Sequence, residues 1–101
     1  MDSMQDPHAP YMEKLERAVL DTPGSLQPGI RRGIAEGRFP EDMAQYLEKV
    51  SKHAYKVVDG DIDRLRKLGY TEDAIFEASV AAALGAARQR LERGLAAIEG
   101  A

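Results

Sequence analysis

Along this chain the apolar positions recur at steps of three and four, and no run alternates with period two, so the sequence predicts helices and no sheet. Pro10 opens the first helix, because proline at the first helical position loses no needed donor, and Met12, Leu15 and Val19 form its stripe. Thr22-Pro23-Gly24 ends it. Ser25 to Glu36 reads as a second, short helix with Ile30 and Ile34 on one face, although Gly29 and Gly33 each weaken it by about 1 kcal/mol relative to alanine. Gly37 stops that segment. Pro40-Glu41-Asp42 starts a third helix, with acidic residues at the positive end of the dipole and Met43, Leu47, Val50 and Ala54 in step as far as about Tyr55. After the break at Val57-Val58-Asp59-Gly60, Asp59 is expected to cap a fourth helix with Ile62, Leu65 and Leu68 on its apolar face. Gly69 would terminate it in the left-handed conformation.

The last helix organises the rest. Thr71 is its N-cap, Glu72 and Asp73 complement the dipole at its start, and Arg88, Arg90 and Arg93 do so towards its end. Phe76, Val80, Ala83, Ala87, Leu91, Gly94 and Ile98 follow at steps of three and four as its apolar stripe. Around Val80 and Leu84 the middle is small: Ala78, Ser79, Ala81, Ala82, Gly85 and Ala86. Short side chains admit a second backbone closely but bury little area each, so this helix gains most when packed on more than one side. That describes either the central helix of a monomeric bundle or a helix shared between subunits, and for so short a chain the shared helix is preferred. The expectation is an all-α bundle of four to five helices with a long C-terminal helix, in one helical domain over 10–101 behind a flexible lead over 1–9.

Composition narrows the function more than it defines it. Of 101 residues none is cysteine, which removes disulfides, thiolate metal sites and thiol chemistry from this polypeptide. A net charge of −3 argues against non-specific nucleic-acid binding, which needs a cationic footprint. The N-terminus lacks the basic and apolar regions of a signal peptide, and Ala78 to Ala87 falls far short of the roughly 20 residues that span a bilayer. The expectation is a soluble cytoplasmic protein with no membrane partner. His8 and His53 lie too far apart for metal-ligand spacing, so no metal or other cofactor is expected.

Tyr46 to Ile98 resembles the carboxymuconolactone decarboxylase and AhpD-like (alkylhydroperoxidase D-like) family. The likeness rests on Leu65-Arg66-Lys67-Leu68-Gly69-Tyr70-Thr71-Glu72-Asp73-Ala74-Ile75-Phe76-Glu77, then Val80-Ala81-Ala82-Ala83-Leu84-Gly85, then Arg90-Leu91. It covers about half the chain, and residues 1–36 lie outside it. The resemblance implies an all-helical fold that assembles into oligomers. Redox-active members carry two cysteines, a histidine and a relay glutamate. Counted back without gaps from Gly69, these positions fall at Ala54, Val57, Asp61 and Asp42, so only acidity at the last survives. Peroxide reduction by that route needs a thiolate nucleophile and a second thiol, and Ala54 and Val57 supply neither.

Three residues remain as catalytic candidates. His53 suits general base work near neutral pH, against a simpler role at the edge of the core. Glu77 offers a carboxylate one turn into the last helix, where a surface position explains it as well. Arg90, with Arg88 and Arg93, could clamp an anion bidentately, though the helix dipole and Glu92 account for these cations more simply. Tyr46, Tyr55 and Tyr70 read as packed rings with wet hydroxyls. The reading reached is a non-catalytic AhpD-like helical protein, an oligomeric assembly or binding subunit built through its Ala/Gly-rich helix. Two alternatives stand beside it: a thiol-independent enzyme resembling the decarboxylases, and one face of a site completed by a cysteine-bearing partner.

Overall fold

A computed structural model describes residues 9–100 as five α-helices joined by short turns, with no strand among them. Of the lead expected over residues 1–9, residues 1–8, His8 included, lie outside the described residues, and Ala9 belongs to the first helix instead. In order these are α1 (Ala9–Leu20), α2 (Pro28–Ala35), α3 (Ala44–Lys52), α4 (Asp59–Lys67) and α5 (Glu72–Gly100). Single 3-10 turns, Glu41–Met43 and Ala54–Lys56, flank α3. The all-α architecture with a long last helix is therefore as the periodicity implies.

The turn chemistry also follows the sequence at several joints. Gly37 and Gly69 take φ of 91° and 104°, the left-handed region in which a side chain would be strained. The Thr71 hydroxyl accepts from the Ala74 amide at 3.0 Å and so caps α5. Pro28 stands in the first turn of α2. At α4 the expectation fails in detail. Val58, not Asp59, is the capping residue, and the carboxylate of Asp61 reaches back to the Val58 amide at 2.9 Å. α3 stops at Lys52 rather than near Tyr55, and the Ala54–Lys56 turn follows.

The packing face of α5 is the principal correction. Ala74, Ile75, Ala78, Ala81, Ala82, Leu84 and Gly85 are buried, whereas Phe76 and Ile98 of the anticipated stripe are 68% and 74% exposed. The small residues face inward because they let α2 and α3 approach closely. Leu20, Ile34, Met43, Leu47 and Leu65 from the other elements are almost wholly buried against that face. On α1 the inward side is likewise Glu16, Val19 and Leu20, and Leu15 is half exposed. The side chain of Met12 lies outside the described residues. Ile30 and Leu68, expected to pack, also face outward.

Beyond Gly85 no described residue of α5 is buried. Past that point only Ala86, Leu91 and Leu95 are partly buried, so the helix runs on along the edge of the bundle. The molecule measures 50 × 29 × 18 Å, and its radius of gyration of 15.2 Å exceeds the about 13 Å of a compact domain this size.

Candidate functional site

Where the end of α2, the C-terminal half of α3 and the middle of α5 converge, the small residues leave a cleft of about 270 Å³. Ile34, Phe39, Ala82, Gly85 and Ala86 form apolar walls, while Glu48, Lys52, Arg90 and Arg93 bring charge. Three cations meet one acid there, in a chain whose net charge is −3. Lys52 pairs with Glu48 at 2.8 Å. A second cleft, of about 370 Å³, lies between α1, α2 and α5, and its two cations are already paired with carboxylates. Arg32 holds Asp21, and Arg88 holds Glu16 and Glu92.

The three catalytic candidates do not form one constellation. His53 follows the last residue of α3, is exposed, and meets the Tyr55 ring edge-on at 6.0 Å. Arg90 donates to the Ser51 carbonyl at 2.8 Å, closing one of the free carbonyls at the end of α3. These two belong to the same end of α3. Glu77 lies thirteen positions before Arg90 on one continuous helix, about 20 Å away at 1.5 Å per residue.

Glu77 is not a surface carboxylate. It is one-fifth exposed, and its oxygens accept from the backbone amides of Ser25 at 2.9 Å and Leu26 at 2.8 Å. Burial pushes its carboxyl up, but those two amides and the nearby Arg31 outweigh that and hold it below the usual value. Arg31 is the residue that sequence reasoning missed. Only 2% exposed, it donates to the carbonyls of Leu26 at 3.1 Å and Val19 at 2.7 Å, and to that of Thr22. Its Nε lies 4.0 Å from Glu77. One guanidinium thus closes the α1–α2 connection from inside, using the fork of donors that arginine alone possesses. The arginine's partners are backbone oxygens, so no side-chain motif announces it.

The arginines at the end of α5 have three separate fates. Arg88 ties α5 to the buried Glu16 of α1, Arg90 caps α3, and Arg93 lines the cleft without an ion pair to any described residue. The tyrosines divide as well. Tyr46 is packed, but its hydroxyl lies 2.6 Å from that of Ser79; Tyr55 is exposed; Tyr70 donates to Asp42 at 2.7 Å. That bond, with burial beside it, pushes the Tyr70 hydroxyl up to about 12.

Among the positions that the family resemblance marks, Ala54 and Val57 bracket the turn after α3, and Asp42 is engaged by Tyr70. Asp61 accepts from the Val58 amide and from Lys49 at 2.9 Å, and these bonds hold its carboxyl below the ordinary range. Among the described residues no three His, Cys, Asp or Glu side chains converge as a metal cage, and no helix there is long and apolar enough to cross a membrane. Set against known proteins, the chain matches no family model, no curated protein and no solved structure.

Proposed function

We propose that this chain is a non-catalytic, AhpD-like helical protein of the cytoplasm that acts as an assembly or binding subunit, joining copies of itself along α5. The observation that carries this reading is the outer stripe of that helix. Phe76 and Ile98 stand in water, with Val80, Ala83, Ala87, Leu91 and Gly94 between them. Their steps repeat after eleven residues, a period close to that of a straight helix, so the stripe runs along one side without drifting. Each Å² of apolar surface covered by a neighbour is worth roughly 25 cal/mol. The small inner face is already used by α2 and α3, so it is the outer stripe that remains for a partner.

Charge favours an antiparallel arrangement. Glu72 and Asp73 mark the exposed start of α5, and Arg88, Arg90 and Arg93 its second half. Antiparallel copies set these opposite each other, whereas parallel copies would oppose like charges. A non-catalytic role is supported by the engagement of Glu77 with two amides and of Arg90 with a helix end.

Light scattering on the wild-type chain and on a Phe76→Lys/Leu91→Lys variant tests the proposal. The expected result is a wild-type mass at a multiple of 11.1 kDa, falling to the single-chain value in the variant with helical content unchanged. A wild-type protein of single-chain mass throughout the micromolar range would overturn it.

A further inference from the structure

The geometry points to a second function, independent of assembly: the cleft between α2, α3 and α5 is a binding site for a small amphipathic monocarboxylate. Its walls and its rim ask for different chemistry. Phe39 and Ala86 offer partly exposed carbon over the almost wholly buried Ile34 and Ala82, with the Gln89 amide beside them, and the backbone amides of α5 beneath are spent within the helix. Such walls favour a largely apolar ligand body.

The rim asks for an anion. Glu48 is held by Lys52, which leaves the two arginines of α5 as the surplus. Arg90 gives one nitrogen to Ser51 and keeps its remaining donors, since a guanidinium has five. Arg93 has no carboxylate partner among the described residues. Three positions apart on one helix, the two stand as neighbours, their Cβ atoms about 5–6 Å apart. Such a pair suits a carboxylate bidentately. A phosphate dianion fits less well, because the rim also carries the C-terminus of α3, whose carbonyls bear partial negative charge.

Size narrows the class. Filled at the packing density of an organic liquid, roughly 0.5–0.6, the cleft of about 270 Å³ holds on the order of ten non-hydrogen atoms. Octanoate is of that size.

The test is a titration of the isotope-labelled full chain, followed by amide chemical shifts, with octanoate, 1-octanol, acetate and inorganic phosphate. Octanoate should saturate, moving the amides of Phe39, Gly85 and Ala86, and the other three should bind at least tenfold more weakly. Arg93→Gln should weaken octanoate about tenfold or more, as expected for a charge-assisted contact. Ala86→Leu, which fills a half-buried position in the cleft, should abolish binding while the helical spectrum is kept. Octanol or phosphate binding as well as octanoate would overturn the inference. So would shifts confined to the Phe76–Ile98 stripe, or wild-type affinity in both variants.

Discussion

The backbone of Ala35 occupies the space that a side chain on Gly85 would need. A Cβ there would lie 2.8 Å from the Ala35 carbonyl carbon and 2.9 Å from its Cα. Backbone cannot rotate aside, so α2 and α5 would have to part along their contact. Gly85→Ala is expected to lower stability by about 2 kcal/mol or more, with overpacking exceeding the about 1 kcal/mol that alanine gains in a helix. Gly94→Ala, where nothing lies within 4 Å, should instead gain about 1 kcal/mol. Denaturant melts of the pair decide this, and equal effects in the two variants would refute the contact.

Glu77 should be felt through acid. Its folded carboxyl titrates below the ordinary value of 4.5, so its contribution is complete above that pH and is lost as pH falls towards the folded value. Asp61, also lowered, acts in the same direction. Glu77→Gln removes the counter-charge of the buried Arg31 and should cost about 2–4 kcal/mol at neutral pH. The variant should then lose less stability between pH 5 and 3 than the wild type, as followed by denaturant melts in that range.

Tyr70 acts at the opposite end of the scale. Its hydroxyl titrates near 12 in the folded chain against 10 when free, so the folded state holds the proton more tightly. This contribution is whole below pH 10 and disappears as pH rises from 10 to 12. Tyr70→Phe should cost about 1 kcal/mol at neutral pH and lose the alkaline slope. Absorbance titration of tyrosinate should show one high-pH ioniser fewer in the variant.

Arg88→Ala should loosen α1. It leaves the buried carboxylate of Glu16 without its cation, at a cost of roughly 1–3 kcal/mol. Amide exchange across Ala9–Leu20 is expected to accelerate while that of α3 does not. Uniform acceleration would mean that α1 is not a separately held element.

The sequence announced the helices at their ends, where single residues decide: Thr71 as a cap, Gly37 and Gly69 as left-handed stops, Pro28 in a first turn. It misplaced the buried face of α5 because the middle of that helix, Ala78 to Ala87, is apolar on every side but for Ser79. A stripe chosen by size selects Phe76, Val80 and Leu91, but the interior is set by how near a second backbone can come, and that favours Ala78, Ala82 and Gly85. Glu16 and Arg31 escaped notice for a related reason. Both are charged residues on inward faces, and their partners, Arg88 and the carbonyls of Val19, Thr22 and Leu26, are distant in sequence or belong to the backbone. The cleft was half legible: its arginines stood out, but their division into a helix cap, a tether and a cation with no ion pair among the described residues depends on where α1 and α3 come to rest.

The last third of α5 gives the molecule reach. Seven residues past Arg93 carry the rod about 10 Å beyond the cleft at 1.5 Å per residue. Anything gripped there would be kept at a set distance from the rest of the polypeptide, like a load at the end of a boom.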